Sequence, residues 1–143
     1  MNAPSILIAE DSDEDFFTLN RIFKKLAISY PIVRCAGGEE TLDFLYRRGK
    51  YTYLSDTSLP SLVLLDLNLI GLDGRVVLER IKQDPVLKRL PVVILTTSSN
   101  PRDVAFCYEC GANSYVLKPV HLDHFTRTMQ LLVGYWFEAV LLP

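Results

Sequence analysis

Five polar side chains that could handle a metal ion and a phosphate each follow or end a short apolar run. Glu10 and Asp11 follow SILIA, Asp66 follows LVLL, Thr96 ends PVVILT and Lys118 follows SYVL. Carboxylates about 4–6 Å apart repel one another unless a cation joins them, and Mg²⁺ takes carboxylate oxygens together with phosphate. A hydroxyl and an ammonium can stabilise further phosphoryl oxygens. The set predicts a site that holds a phosphoryl group on a carboxylate.

An alternation of strand-like and helix-like segments would bring these positions together. Continuous apolar runs indicate strands buried on both faces, and apolar residues at helical spacing indicate helices between them. Five strand–helix pairs predict a parallel, doubly wound α/β sheet, whose ligands bind at the carboxyl ends of the strands. We predict strands at 5–9, 31–34, 62–66, 91–96 and 114–117, and helices at about 13–27, 39–48, 73–83, 102–110 and 121–136.

The composition excludes several classes of protein. With 17 acidic and 15 basic residues the net charge is −2, so the chain lacks the basic surface that nucleic acids require. No apolar run approaches the roughly 20 residues of a membrane span, and no signal peptide is evident. An odd number of cysteines, three, also argues against secretion. We expect one domain over residues 1–143, in the cytoplasm, without a membrane or nucleic-acid partner.

Four motifs, in order along the chain, resemble the receiver domains of response regulators. They are Glu10-Asp11, LLDLNLIGLDG around Asp66, ILTTS around Thr96 and YVLKP around Lys118. The resemblance covers essentially the whole chain. It implies a flavodoxin-like (βα)₅ fold with a five-stranded parallel sheet in the order 2-1-3-4-5.

The resemblance implies a phosphoacceptor and a metal site. Asp66 matches the aspartate that receives the phosphoryl group. Asp11, Asp66 and the backbone carbonyl of Asn68 match the ligands of Mg²⁺ (or Mn²⁺), and Glu10 matches a neighbouring acid that acts through water.

The resemblance also implies a switch. Thr96 matches the hydroxyl that moves toward the phosphoryl group, Lys118 matches the lysine that stabilises it, and Tyr115 matches the aromatic residue that turns inward as Thr96 moves. The bond between Lys118 and Pro119 matches a peptide bond that is usually cis in this family.

The implied role is signalling rather than enzymatic turnover of a separate substrate. A histidine kinase would donate the phosphoryl group, and the domain would catalyse only its own phosphotransfer and dephosphorylation. The fourth helix, fifth strand and fifth helix would form the face that changes and binds an unidentified target. The loop at 49–60 and the ending FEAVLLP resemble a narrower group, stand-alone regulators paired with phytochrome-like histidine kinases. A dimeric interaction scaffold that is never phosphorylated stays as the alternative.

The C-terminal residues predict a homodimer. Phe125, Met129 and Trp136 follow helical spacing, and the apolar character continues through Phe137 and Leu141. We expect an apolar tail at about 137–143 to have no domain left to pack on, and exposed apolar patches mark partner surfaces. We therefore predict a twofold dimer. Its interface would consist of this tail and the face formed by the fourth helix, fifth strand and fifth helix.

Two other patterns have structural explanations. Cys107 and Cys110 with His121 and His124 are spaced like zinc ligands, but the fifth strand separates the pairs by about 16 Å, whereas zinc bonds are about 2 Å long. We interpret the acidic residues at 13–15 as complementing the N-terminus of the first helix.

Overall fold

Strands and helices alternate through the computed structural model, which describes residues 4–143. All five strands are parallel and lie in the order β2-β1-β3-β4-β5. The predicted doubly wound (βα)₅ fold is confirmed. The strands are β1 (Ile6–Ala9), β2 (Ile32–Cys35), β3 (Leu62–Leu65), β4 (Val92–Thr96) and β5 (Ser114–Leu117). The helices are α1 (Asp13–Lys25), α2 (Gly38–Tyr46), α3 (Gly74–Gln83), α4 (Pro101–Cys110) and α5 (Leu122–Gly134).

Two apolar clusters cover the two faces of the sheet. Leu7 belongs to the cluster shared with α2, α3 and α4, whereas Ile6 and Ile8 belong to the cluster shared with α1 and α5. Successive side chains of a strand point to opposite faces, so a strand covered on both sides is apolar throughout. This burial fixes the strands rigidly and therefore fixes the positions of their carboxyl ends.

Side-chain caps begin three of the helices. Ser12 accepts a hydrogen bond from the N–H of Asp15 at 3.1 Å, Asp73 caps α3, and Asn100 caps α4 ahead of Pro101. Such caps satisfy N–H groups that have no partner within the helix. Among the helices of residues 4–143, none is both long and apolar enough to cross a membrane.

The segment at 49–60, interpreted above as a polar loop, contains a short 3₁₀ helix, Gly49–Leu54. Its Tyr51 is buried, meets the ring of Phe44 edge-on at 5.2 Å and donates its hydroxyl to Glu40 at 2.8 Å. An aromatic ring with a polar tip can anchor a loop in this way. These contacts attach the 3₁₀ helix to α2.

The residues after α5 pack on the domain, which differs from the sequence expectation. A π-helical turn, Tyr135–Ala139, continues α5. Trp136 and Phe137 pack against the cluster beneath α1 and α5, and the Phe137 ring stacks on Tyr30 with centroids 4.3 Å apart. The expectation that this tail lacks a surface of its own domain is therefore wrong for Trp136 and Phe137, whereas Leu141 is 99% exposed.

The bond between Lys118 and Pro119 is trans, as is every peptide bond in the described residues. The prediction of a cis bond there is wrong. The trans isomer of an X–Pro bond is the more stable one by about 0.5–1 kcal/mol.

Candidate metal and phosphoacceptor site

The carboxyl ends of four adjacent strands gather the predicted site residues at one edge of the sheet. Glu10 follows β1, Asp66 follows β3, Thr96 ends β4 and Lys118 follows β5. Backbone bonds continue the ladder here: Asp66 N–H donates to Ala9 at 3.1 Å and Lys118 N–H donates to Thr96 at 2.8 Å. Glu10, Asp66 and Thr96 are buried, so the rigid sheet sets the relative positions of these groups.

The Lys118 ammonium donates to three carboxylates at once. Its Nζ lies 2.7 Å from Asp66 Oδ2 and 2.9 Å from Asp15 Oδ2, and it also bonds to Glu10 Oε1. An ammonium has three donors and no acceptor, so all of its hydrogen-bonding capacity is used. The Lys118 side chain is only 7% exposed. Its charge is therefore compensated by these acids rather than by water.

Backbone N–H groups orient the remaining oxygens of the two buried acids. Asp66 Oδ1 accepts from the N–H of Asn68 at 3.1 Å, and Glu10 Oε2 accepts from the N–H of Ser12 at 3.2 Å. With Lys118 on the other oxygen, each carboxylate is held at both ends. Asp66 is thus preorganised before any partner binds.

Burial and ionic contacts have opposite effects on the pKa values of Glu10 and Lys118. Burial, together with the charge of Asp66, raises the pKa of Glu10 to about 7 against the lowering effect of Lys118. Burial by itself lowers the pKa of Lys118, but its bonds to Asp66 and Glu10 outweigh that effect and raise the pKa. The ammonium therefore stays charged at neutral pH.

Oxygen atoms of Glu10, Asp11 and Asp66 form a potential cation site. One carboxylate oxygen from each lies within 4.8 Å of the others, and no other such group occurs within residues 4–143. Oxygen-only donors with excess negative charge suit a hard divalent cation. The residues present therefore fit the divalent metal that the sequence predicted.

Gly74 allows α3 to begin directly beside the loop that carries Asp66. A Cβ atom at this position would lie 2.2 Å from the Asp66 carbonyl oxygen and 2.7 Å from Leu67 Cα. The Gly74 N–H instead donates to the Leu67 carbonyl at 2.9 Å. Only glycine permits this approach of two backbones.

Thr96 and Tyr115, the two predicted switch residues, meet through the loop after β4. The Ser98 N–H lies 3.5 Å from Thr96 Oγ1, and the Tyr115 hydroxyl donates to the Ser98 carbonyl at 2.7 Å. Tyr115 is partly buried against the cluster beneath α2, α3 and α4. Burial raises the pKa of its hydroxyl. The loop after β4 thus connects the strand-end hydroxyl to the aromatic ring.

Two residues of the site were missed by the sequence interpretation. Asp15, interpreted only as part of a helix N-terminus, is also a partner of Lys118. Arg34 supports the loop after β1: its Nε donates to the Glu10 carbonyl at 3.1 Å, and its Nη1 lies 2.7 Å from Asp13 Oδ1. A charged residue within the otherwise apolar strand Ile32–Cys35 was the available signal.

The residues predicted for a dimer face separate into three environments. Phe125 and Met129 are buried in the core beneath α5, because they point from the helix toward the sheet. They cannot belong to an exposed face, and this part of the prediction is wrong. Trp136 and Phe137 are partly buried, and Leu141 is exposed.

None of the cysteine thiols belongs to the acidic group, although the Cys35 backbone carbonyl accepts from the Glu10 N–H at 3.0 Å. Cys35 and Cys107 are buried, Cys110 is partly buried, and all three thiols are free. Burial raises the pKa of Cys107 to about 11. Because thiolates are the reactive and metal-binding form, these sites do not suit redox or zinc chemistry.

The chain belongs to the response regulator receiver domain family, whose model matches residues 6–130. That match spans every strand and most of α5, and the acidic edge of the sheet lies within it. The family resemblance predicted from the four motifs is confirmed.

Several solved structures similar to this chain are named as phytochrome or bacteriophytochrome response regulators. The chain is 40% identical over 138 residues to the response regulator Rcp1 of Synechocystis sp., covering 96% of this chain and 92% of that protein. The Mn²⁺-bound crystal structure of Rcp1 superposes with a TM-score of 0.88 at 38% identity, covering 98% and 99% of the two chains. The phosphorylated cyanobacterial phytochrome response regulator RcpA gives a TM-score of 0.91 at 33% identity, covering 100% and 99%. The narrower resemblance to phytochrome-associated regulators is confirmed.

Proposed function

We propose that this receiver domain accepts a phosphoryl group on Asp66 from a histidine kinase of the phytochrome type. The observation that carries the proposal is the Asp66 carboxylate, fixed by Lys118 at 2.7 Å and by Asn68 at 3.1 Å beside two further acids. The phosphorylated structure of RcpA and the Mn²⁺-bound structure of Rcp1 support it.

The reaction transfers a phosphoryl group from nitrogen to oxygen. A carboxylate oxygen of Asp66 attacks phosphorus in line with the phosphohistidine P–N bond. The P–O bond forms as the P–N bond breaks, and the electron pair returns to the donor imidazole, which takes a proton from water. Lys118, by exchanging one of its carboxylate partners for a phosphoryl oxygen, and the Thr96 hydroxyl then bind the transferred group.

A divalent cation, Mg²⁺ or Mn²⁺, would be held by Asp11, Asp66 and the Asn68 backbone carbonyl, with Glu10 acting through water. When bound it supplies positive charge that offsets the negative charge of the phosphoryl oxygens. Asp66 would otherwise be a poor acceptor, because two neighbouring carboxylates repel an incoming anion.

The donor could approach along a groove between α1 and α5. This groove has a volume of about 720 Å³, and Asp15, Thr18, Lys118 and Leu122 are among the residues that line it. It opens beside Lys118, so a partner seated there could bring a histidine to the strand ends. The exposed apolar side chains of Val120 and Leu122 give such a partner a surface to bury.

The proposed output is a change in the face of α4, β5 and α5. Movement of Thr96 toward the phosphoryl group would act on Ser98, which contacts Thr96, and through the Ser98 carbonyl on Tyr115. We propose that this face, with Leu141, also forms a twofold homodimer in the cytoplasm. Light scattering of wild type and Leu141→Ser tests the dimer; a wild-type monomer contradicts it.

Intact mass spectrometry after incubation with Mg²⁺ and acetyl phosphate tests the phosphorylation. We expect a gain of one phosphoryl group that disappears in Asp66→Asn and when EDTA replaces Mg²⁺. If folded wild type never gains mass with either acetyl phosphate or a phosphorylated phytochrome kinase, the domain is a scaffold instead and the proposal is wrong.

A further inference from the structure

Ser98 is held by all three of its polar groups. Its N–H lies 3.5 Å from the Thr96 hydroxyl, its carbonyl accepts from Tyr115 at 2.7 Å, and its own hydroxyl donates to Asp103 Oδ2 at 2.6 Å. The first two contacts connect the switch residues. The third connects them to α4, outside the site described above.

Arg75 fixes the carboxylate to which Ser98 donates. The Arg75 guanidinium forms a two-pronged ion pair with Asp103, with Nε–Oδ1 at 2.9 Å and Nη2–Oδ2 at 2.8 Å. Its Nη1 also lies 3.1 Å from Asp73, the cap of α3. The Asp103 side chain is 17% exposed and that of Arg75 is 29% exposed. Two parallel N–H···O bonds define orientation as well as distance, so α3 fixes the first turn of α4.

We propose that Asp103 and Arg75 are positioning residues that hold Ser98 so that its carbonyl keeps Tyr115 packed inward. The positioning role is argued from contacts that exist without a phosphoryl group. Only its effect on phosphorylation rests on the proposed function. Without Asp103 the Ser98 hydroxyl loses its acceptor. The loop after β4 can then rotate, and Tyr115 loses the carbonyl that accepts from its partly buried hydroxyl.

The charges of the network agree with this arrangement. The hydrogen bond from Ser98 and the ion pair with Arg75 hold the pKa of Asp103 below its usual range. Burial lowers the pKa of Arg75, but Asp103 and Asp73 outweigh that effect and raise it. Both groups are therefore ionised at neutral pH, and their pairing persists across physiological conditions.

The network stabilises the conformation in which Tyr115 is packed inward. By linkage, it must also raise the affinity for any ligand that binds this conformation better than the alternative. If a phosphoryl group on Asp66 favours the conformation with Tyr115 packed inward, loss of the Ser98–Asp103 hydrogen bond must destabilise the phosphorylated state. We expect the affinity for beryllofluoride, a phosphoryl analogue, in the presence of Mg²⁺ to fall by about 5-fold or more in Asp103→Ala, in line with typical coupling between sites.

Fluorine NMR of protein labelled with 3-fluorotyrosine tests the positioning role without any phosphodonor. The chain has seven tyrosines, and Tyr115→Phe identifies the resonance of interest. We expect Asp103→Ala, Arg75→Met and Ser98→Ala each to move that resonance toward the value of a solvent-exposed tyrosine. Ser98→Ala is decisive, because it removes the hydroxyl and leaves every charge in place.

Asp43→Asn is the matched control, since it breaks an Arg–Asp pair of 2.7 Å between Arg48 and Asp43 that is remote from Tyr115. It should leave the Tyr115 resonance unchanged. The proposal is overturned if folded Ser98→Ala keeps the wild-type resonance. Since this readout needs no phosphodonor, a wild type that cannot be phosphorylated would sink the proposed function and leave the positioning test intact.

Discussion

The Lys118 ammonium lies 2.7 Å from Asp66 Oδ2, and both side chains are 7% exposed. This ion pair joins the ends of two strands that are separated by β4 in the sheet. It holds the Asp66 carboxylate turned toward the edge where a phosphoryl group would arrive. The same ammonium also offsets the charges of Glu10 and Asp15.

Lys118→Met should destabilise the protein by about 3 kcal/mol, because removal of one partner leaves buried carboxylates uncompensated. Urea unfolding at neutral pH measures this loss, and Mg²⁺ should restore part of it by replacing the missing positive charge. Lys50→Met is the control: its 3.6 Å pair with Glu40 is exposed, so the change should be within about 0.5 kcal/mol. Equal stability of the two variants would contradict the account.

Gly74→Ala should destabilise the protein by about 1–3 kcal/mol, the usual cost of overpacking. The added methyl group would meet the Asp66 backbone at 2.2 Å and push α3 away from the site. Thermal unfolding measures the effect. Gly134→Ala, whose added methyl would lie 3.9 Å from its nearest neighbour, should be neutral or slightly stabilising. A neutral Gly74→Ala would show that the close approach is not required.

Arg34→Met should weaken Mg²⁺ binding by about 10-fold, in the range typical of residues that support metal ligands. Arg34 bonds to the Glu10 carbonyl and to Asp13, and thereby fixes the loop that carries Asp11. Isothermal titration calorimetry measures the affinity directly. Arg127→Met, which removes a contact with Gln130 on the surface of α5, serves as the control. Unchanged Mg²⁺ affinity in Arg34→Met would show that Arg34 does not support the metal site.

The three cysteines should differ in how fast they are alkylated at pH 8. Burial raises the pKa of Cys35 to about 12 and that of Cys107 to about 11. Because only the thiolate reacts, both should resist iodoacetamide in the native protein at pH 8, while the partly buried Cys110 reacts first. Peptide mapping after timed alkylation gives the order. Rapid native alkylation of Cys35 would contradict its burial.

The strand-end residues were predictable because each follows an apolar run that is long enough to identify a buried strand. Parallel strands of one sheet must then bring Glu10, Asp66 and Lys118 to one edge. Asp15 was not predictable in the same way, because its contact with Lys118 depends on the rotation of α1 about its axis. The stacking of Phe137 on Tyr30 likewise joins the π-helical turn after α5 to the loop before β2, and no periodicity in the sequence specifies where these two segments meet.

The most direct test of the central claim locates the phosphoryl group. Wild-type protein treated with Mg²⁺ and acetyl phosphate is reduced with borohydride, which converts an aspartyl phosphate to homoserine, and is then digested and sequenced by mass spectrometry. The account predicts homoserine at position 66 alone, and none when EDTA replaces Mg²⁺. Homoserine at position 11, or a phosphoryl group on any other residue with Asp66 unmodified, would contradict it.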